Sequence, residues 1–391
     1  MTLAGRPALR RFVAALLAAG LAGCSTDSPS PPAPSAAART WRAVELPAPP
    51  GTPGRTVLRD VTFCPGHWFA VGAVATSVDA TRPAAWSSTD GRSWHPLAIE
   101  AKTYYGEQNI LSSVACRNGR MAAVGAKVGG AHGNPRTSSW YETAAGTLRE
   151  VTAPFELYGG PQAVNVSRLD AGPAGWLITG NRMSGAAAWT SADATRFDIH
   201  ERAPGLASTA AGESWAFDGV PSGAGWLVVG GYLPTGRIDR DAAGWTSPDG
   251  RSWTAIPAAE PTPDYEELQR VAVADVPVAV GVRGGRFVAW RLQGQTWVPA
   301  GAFGAVAPAG RGGVRSVAYA DGVLTAVTSD GIAYSLWSSP DGGRAWSPVA
   351  MPAQVAAGAD SAVAVAVGPG GVLLIADDAQ KALIYLDETD R

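Results

Sequence analysis

Tryptophan recurs through this chain at a nearly constant interval, and that interval limits the possible folds more than any other feature. Fourteen of the fifteen tryptophans occupy three positions of a unit that is about fifty residues long. The first position holds Trp86, Trp140, Trp189, Trp245, Trp290 and Trp337, and Tyr385 extends the series. A repeat of this length predicts one large repetitive domain, because each unit is too small to bury its apolar faces alone. Trp215 is the one tryptophan outside the pattern.

The other two positions show how the unit is built. A second apolar anchor follows about eight residues later, at Trp94, Leu148, Phe197, Trp253, Trp297 and Trp346, and Trp41 is its counterpart near the N-terminus. The third position, at Trp68, Trp176 and Trp226, comes four residues before a glycine. Each unit contains four short apolar runs bounded by Gly, Pro or Asp, which is typical of strands. We therefore predict an all-β fold, a seven-bladed β-propeller of four-stranded antiparallel blades.

The two ends of the repeat predict how the ring closes. Six complete units lie between about residue 56 and residue 350, and the seventh has only three apolar runs. A fourth run is available at 40–47, whose sequence is similar to Ser252–Pro257 in the fourth unit. We expect this N-terminal strand to complete the last blade and so remove a free strand edge.

A polar turn motif separates the third and fourth strands of several units. Its copies are Ser88–Trp94, Ser247–Trp253 and Ser339–Trp346, with a degenerate one at Ser191–Phe197. These segments resemble the Asp-box, also called the BNR repeat. In such a turn the Asp carboxylate accepts backbone N–H groups and Gly takes the positive-φ position. We interpret Asp90, Asp249 and Asp341 as structural residues.

The first 39 residues resemble a bacterial lipoprotein leader followed by a tether. Arginines precede a short apolar run, and Leu21-Ala-Gly-Cys24 is similar to a lipobox. The resemblance implies a signal peptide at 1–23 and a lipid such as palmitate on Cys24, at the outer face of the cytoplasmic membrane. Residues 24–39 predict a disordered Pro/Ser/Ala tether, and 40–391 the propeller domain. An ordinary secretory signal is the alternative, and the export route, Sec or twin-arginine, stays open.

The two remaining cysteines predict a disulfide. Cys64 and Cys116 each end the first strand of a unit, and equivalent points of neighbouring units should lie side by side. The compartment outside the membrane is oxidising, which favours the bond. Two unpaired buried thiols are the alternative.

Aromatic and acidic residues recur in the loops that lead into the units. The candidates for ligand binding are Tyr105, Glu107, Tyr158, Trp215, Tyr265 and Glu267. Aromatic faces beside acids and amides, around the mouth of a channel, suit a sugar or an extended peptide. The alternative is that these side chains only brace their own loops.

Arginines occupy matching points near the start of three inner strands. Arg59, Arg270 and Arg315 should approach the central channel, where guanidinium groups favour a carboxylate or phosphate. The alternative is that they pair with local acids such as Asp60. Charges in the long loops Thr76–Arg82 and Tyr232–Asp241 are interpreted first as solvated residues, with recognition as a second possibility.

Composition excludes several classes of function. The net charge is -2 and only three residues are lysine, so no nucleic-acid-binding face is expected. No His, Cys and Asp cluster has ligand spacing, so we expect neither a metal nor a cofactor. We expect a monomer that contacts the membrane through its lipid alone.

The Asp-box resemblance names an architecture with several uses, among them sialidases and sortilin-type receptors. A sialidase would imply an arginine triad, for which Arg59, Arg270 and Arg315 are candidates, and a Tyr–Glu nucleophile pair, either Tyr105 with Glu107 or Tyr265 with Glu267. However, the family's N-terminal Arg-Ile-Pro signature is absent. We therefore favour a binding or scaffolding module for an envelope protein, peptide or glycan. A sialidase-like glycoside hydrolase is the alternative.

Overall fold

The computed structural model describes residues 36–129, 134–260, 262–307 and 312–388. The predicted leader, Cys24 and the tether up to residue 35 lie outside the described residues. Within the described ranges the short apolar runs form antiparallel strands whose side chains are buried on both faces. Each sheet therefore needs a neighbour on either side, and a closed ring supplies both.

Seven sheets form the blades of a ring, which confirms the predicted propeller. Each inner strand contacts the inner strands of the two neighbouring blades, from blade 1 round to blade 7 and back. From centre to rim, blade 1 consists of Arg55–Cys64, His67–Ala75, Thr81–Ser88 and His95–Pro96. Blade 2 consists of Ile110–Arg117, Arg120–Val128, Pro135–Glu142 and Thr147–Glu150. Blade 3 consists of Ala163–Gly172, Gly175–Arg182, Gly185–Ser191 and Asp198–His200.

The remaining blades repeat the same order from centre to rim. Blade 4 consists of Gly212–Ser222, Gly225–Pro234, Asp241–Ser247 and Thr254–Pro257, and blade 5 of Glu266–Val273, Pro277–Arg283, Arg286–Gln293 and Thr296–Phe303. Blade 6 consists of Gly313–Ala320, Val323–Ser329, Tyr334–Ser339 and Ser347–Val349. Blade 7 consists of Ala362–Gly368, Gly371–Asp377, Ala382–Asp387 and Trp41–Val44.

Blade 2 departs from the four-stranded plan. The segment Ala98–Glu100, which leaves blade 1, pairs in parallel with Thr147–Glu150 and adds a fifth strand at the rim. Two short 3-10 helices, Gly106–Gln108 and Phe155–Leu157, lie in the loops that lead into blades 2 and 3. The sequence pattern did not predict any of these three segments, because each is too short for a periodic signal.

The N-terminal strand closes the ring as predicted. Trp41–Val44 pairs antiparallel with Ala382–Asp387, and Trp41 lies opposite Asp387. The indole of Trp41 donates a hydrogen bond of 2.9 Å to the Ala350 carbonyl in blade 6. One strand from each end of the propeller domain therefore completes blade 7, and no blade is left with a missing rim strand.

Apolar layers between blades form the core. The layer between blades 7 and 1 contains Trp68, Trp86 and Trp94 together with Leu373 and Ile384. Corresponding layers with one or more buried tryptophans occur between successive blades. The tryptophan repeat thus marks the contact between sheets, which is why it has the period of one blade.

The polar turns hold their shape through their own side chains. In blade 1 the Asp90 carboxylate accepts the backbone N–H groups of Arg92 and Ser93, both at 2.7 Å. Trp94 donates its indole N–H to the Gly91 carbonyl at 3.0 Å. These bonds favour the charged form and lower the pKa of Asp90 to about 2. The turns at Asp193, Asp249 and Asp341 use the same carboxylate bonds.

At each of the seven seams between blades, a backbone N–H of one blade donates a hydrogen bond to a side-chain oxygen of the preceding blade. The donor–acceptor distances are between 2.6 and 3.1 Å. The pairs are Val114 N–H with Asp60, Leu169 with Ser113, Ala216 with Asn181, Val271 with Asp218, Val314 with Gln269, Val365 with Ser316, and Leu58 with Asp377. We call these the seam bonds.

A bulge in the inner strand accompanies these bonds and explains the recurring glycine. Six of the seven inner strands contain a bulge, for example at Arg59 between Leu58 and Asp60. A Cβ on Gly72 would lie 1.9 Å from the Val57 carbonyl oxygen beside the bulge. Because such a distance is sterically impossible, only glycine fits on the second strand there.

The predicted disulfide is confirmed. Cys64 and Cys116 are bonded, with 5.9 Å between their Cα atoms. They end the inner strands of blades 1 and 2, the point where neighbouring units were expected to meet.

Deleting residues 40–47 removes the rim strand of blade 7 and exposes the layer that Val44 and Trp41 cover. We expect a loss of at least about 3 kcal/mol in the free energy of unfolding, because large buried side chains are lost. Chemical denaturation of the parent and of the deletion variant measures it. A deletion variant that unfolds at the parent's denaturant midpoint would contradict this role for the strand.

Candidate functional site

The connections of the propeller separate onto two ends. Both cysteines and the turns between third and fourth strands lie at one end, which we call the turn face. The opposite end, which we call the mouth face, holds the loops that lead into the inner strands and those between second and third strands. This division follows from the antiparallel order of the strands within each blade.

Exposed apolar side chains concentrate on the mouth face. Among the described residues, nine large apolar side chains are exposed, and eight of them lie at this end: Val78, Tyr104, Val128, Phe155, Val164, Met183, Ile238 and Ile332. The ninth, Val273, lies on the turn face. Val78 and Ile238 are 100% and 92% exposed, so neither contributes to the core. Five of the eight occupy the ends of second-to-third-strand loops, in blades 1, 2, 3, 4 and 6.

Three sequence candidates meet in one cluster between blades 4 and 5. The guanidinium of Arg240 lies over the Trp215 ring, with 4.3 Å from Cζ to the ring centroid. The same group donates to the Glu267 carboxylate at 3.0 Å and to the Tyr265 hydroxyl at 3.1 Å. The Tyr265 hydroxyl in turn donates to Glu267 at 2.6 Å. We call Trp215, Arg240, Tyr265 and Glu267 the Arg240 cluster.

The electrostatics of the Arg240 cluster keep its tyrosine protonated. Burial and then the neighbouring Glu267 charge raise the pKa of Tyr265 well above its ordinary value. The second oxygen of Glu267 accepts a hydrogen bond from Gln269, whose carbonyl oxygen accepts the seam bond from Val314. The cluster is therefore tied to the seam between blades 5 and 6.

The other aromatic candidates surround a second arginine, between blades 2 and 3. The guanidinium of Arg136 lies 4.4 Å from the Phe155 ring centroid and 5.5 Å from that of Tyr105. Tyr158 is buried beneath, and burial raises the pKa of its hydroxyl. Glu107 is exposed in the short helix after Tyr105, and no hydrogen bond joins the two side chains in the described structure.

The three inner-strand arginines have partners within the protein. Arg59 donates to the Asp377 carboxylate at 2.8 Å and to the Asp360 carbonyl at 3.1 Å. Arg270 donates to the Arg315 carbonyl at 2.8 Å. Arg59 is thus held by blade 7, whereas Arg270 and Arg315 lie together in blades 5 and 6.

The central channel also contains charges that the sequence analysis did not select. Arg168, in blade 3, lies 3.1 Å from Asp60 of blade 1 and 4.0 Å from Asp218 of blade 4. One carboxylate oxygen of Asp170 is buried and has no hydrogen-bond partner. Burial, and then the charge of Asp218, raise the pKa of Asp170 well above its ordinary value.

The long-loop charges are bound rather than solvated in several cases. Arg82 donates to the carbonyls of Thr52 and Pro49, and Arg237 pairs with Asp241 at 2.7 Å. Arg240 belongs to the cluster described above. The sequence signal that would have found Arg240 is its place directly before the third strand of blade 4, level with the loop that leads into blade 5.

Neither a metal cluster nor a membrane-spanning helix is found in the described part of the chain. No group of three or more His, Cys, Asp or Glu side chains is placed to hold a metal ion there. Among the same residues no helix has the length and apolar character needed to cross a bilayer.

Comparisons with known proteins find similarity to solved structures at low sequence identity. No family model matches the sequence, and no curated protein matches it. The propeller domain of the Trilobed protease from Pyrococcus furiosus is 10% identical with a TM-score of 0.49, covering 85% of this chain and 95% of that one. The Hadza microbial sialidase Hz136 is 13% identical with a TM-score of 0.45, covering 85% of this chain and 65% of that one.

A Pyrococcus horikoshii acylaminoacyl peptidase is 9% identical with a TM-score of 0.46, covering 85% of this chain. The protein described here spans 52% of that peptidase and 65% of the sialidase, so both are longer chains.

Replacing Asp170 by Asn should stabilise the protein at neutral and alkaline pH. A carboxyl whose pKa is raised by folding destabilises the fold once pH exceeds its unfolded pKa, near 3.9, and the penalty grows until it ionises in the folded state as well. We expect Asp170→Asn to gain about 1 kcal/mol or more at pH 8, and the two proteins to converge toward pH 3.

Thermal unfolding between pH 3 and pH 8 measures this difference. Asp79→Asn is the matched control, because Asp79 is exposed and its side chain makes no hydrogen bond or ion pair with a described residue. A variant at Asp170 that is less stable than the parent at pH 8 would mean that the ionised carboxylate is needed in the channel.

Proposed function

We propose that this protein is a lipid-anchored binding module whose mouth face docks an envelope protein outside the cytoplasmic membrane. The observation that carries the proposal is the concentration of exposed apolar side chains on that face, eight of nine in the described residues. Contiguous or clustered apolar exposure on a soluble surface is typical of a site of protein association. The propeller supplies a rigid frame for these loop ends.

The first described residues show at which end of the ring the chain enters the propeller. Ala37 pairs in parallel with Val349, the last residue of the three-residue rim strand that follows the turn Ser339–Trp346. Trp41 then begins its strand opposite Asp387, at the turn-face end of blade 7. The described chain therefore enters the propeller at the turn-face end, opposite the mouth face.

The chemistry of the exposed side chains favours a protein partner over a glycan. Five of the eight are Val or Ile and one is Met, side chains that bury apolar area but have no polar groups for sugar hydroxyls. Trp215 and Tyr265, which would suit a sugar ring, are partly covered by Arg240. A protein surface with an apolar centre and a polar rim fits this arrangement.

Photo-crosslinking in intact cells tests the proposal. A photoreactive amino acid at position 238, on the mouth face, should capture one protein reproducibly, and the same group at position 273, on the turn face, should not. The double variant Ile238→Ser, Ile332→Ser should abolish capture from a third mouth-face position, Val78, whereas Val273→Ser should leave it unchanged. Equal capture from positions 238 and 273 would contradict a mouth-face site.

A glycoside hydrolase is the second candidate, and one observation favours it. The Tyr265 hydroxyl lies 2.6 Å from the Glu267 carboxylate, the arrangement in which a carboxylate can take a proton from a nucleophilic phenol. Two contacts oppose it: Arg240 already pairs with Glu267, and Arg59 pairs with Asp377. Release of a fluorophore from a fluorogenic sialoside, abolished by Tyr265→Phe, would establish this activity. No release by the parent would reject it.

A further inference from the structure

The seam between blades 2 and 3 is open at the mouth face. The inner strand of blade 3 contains a second bulge, between Ala163 and Asn165, in addition to the one that recurs in other blades. The first residues of this strand are exposed, and Val164 keeps 44% of its surface accessible. A cavity of about 460 Å³ lies between this strand and the face of blade 2. We call it the Arg136 cleft.

One wall of the Arg136 cleft is apolar. It is formed by Val124 in blade 2, by Val164 and Val166 in blade 3, and by the ring of Phe155 in the loop between them. A volume of this size is within the range of small-molecule sites, about 300–1,000 Å³. The cleft can therefore hold an apolar body of roughly the size of an aromatic ring with a short chain.

Arg136 and Asn165 supply hydrogen-bond donors to the cleft. Arg136 makes no hydrogen bond or ion pair with any described residue, and its Nε is buried without a partner. Asn165 uses its side-chain oxygen to accept from Asn181 at 2.8 Å, which leaves its amide N–H groups available. No Asp or Glu lines the cleft in the described residues.

The buried carboxylate of Glu150 makes no hydrogen bond or ion pair with Arg136. Glu150, which lines an adjoining cavity together with Arg136, accepts hydrogen bonds from the backbone N–H groups of Lys102 and Thr103 and from the hydroxyls of Thr103 and Ser138. Its two oxygens are thus occupied in holding the loop that leads into blade 2. Arg136 lies over the rings of Phe155 and Tyr105 instead. These contacts hold the guanidinium in place, and its N–H groups have no hydrogen-bond partner among the described residues.

We propose that the Arg136 cleft binds the carboxylate of a small organic acid with an apolar or aromatic body. The carboxylate accepts two parallel hydrogen bonds from Arg136, and the body packs on the wall of Val164, Val166 and Phe155. Such a bidentate pair matches the planar guanidinium in a way that an uncharged amide does not. The cleft shares Val164 and Phe155 with the exposed apolar set of the mouth face, but its ligand is recognised by Arg136, which does not belong to that set.

Calorimetric titration with N-acetylphenylalanine and with its primary amide tests the proposal. We expect the acid to bind the parent at least about tenfold more tightly than the amide, the amount by which a charge-assisted hydrogen bond exceeds a neutral one. Arg136→Gln should weaken binding of the acid by at least about tenfold, and Arg136→Lys should weaken it less. Arg120→Gln, at an exposed arginine outside the cleft, should leave it unchanged.

A second variant separates loss of the site from loss of the fold. Val164→Trp keeps the charge of the cleft and fills its volume at a position that is already exposed, so the protein should melt as the parent does and not bind the acid. A pentapeptide ending in phenylalanine, compared with its C-terminal amide, shows whether the C-terminus of a peptide also binds in the cleft. Carboxylate-dependent binding of either N-acetylphenylalanine or the pentapeptide supports the proposal. Equal binding of acid and amide, or binding that survives Arg136→Gln, would overturn it, as would a parent that binds neither carboxylate probe.

Discussion

The hydrogen bond that crosses each seam between blades is the interaction on which the ring depends. An inner strand pairs with one neighbour in its own blade, so its other edge has N–H groups with no ladder partner. A buried N–H without a partner costs about 1–3 kcal/mol. A side chain of the adjacent blade meets one such group at every seam. In blades 1, 2, 4 and 6 the acceptor is the residue after the bulge. In blades 3 and 5 that residue is an arginine, so Asn181 and Gln269 accept the bond instead. Blade 7 has no bulge, and its acceptor is Asp377.

Because the side chain that accepts the seam bond is not the same in every blade, the charged residues that line the channel also differ between blades. Because Asn181 serves the seam between blades 3 and 4, Arg168 extends into the channel and lies between Asp60 and Asp218. The second bulge in the same blade, at Val164, opens the Arg136 cleft at the mouth face. Blade 3 is therefore where the repeat departs most from its own pattern. Departures from a structural pattern are where functional groups are expected.

The sequence predicted the repeating parts of the structure and missed the parts that differ between blades. Trp86, Gly72 and Asp90 each have a role that is the same in every unit that contains them, so their spacing alone indicated blades, strand order and turns. The partners of Arg59 were not predictable, since Asp377 is 318 residues away and meets it only when the ring closes. Arg136 and Val164 gave no signal, because the cleft depends on a bulge that has no sequence signature.

Hydrogen–deuterium exchange resolved to single residues tests the role of the seam bonds most directly. Asn181→Ala removes the acceptor for Ala216 and should greatly accelerate exchange of that amide, while Val365, whose seam bond to Ser316 lies in a distant part of the ring, should keep its protection. That result would mean that each seam is sealed locally by its own side chain. Unchanged exchange at Ala216 would contradict the account, because it would show that the blades stay closed without the bond.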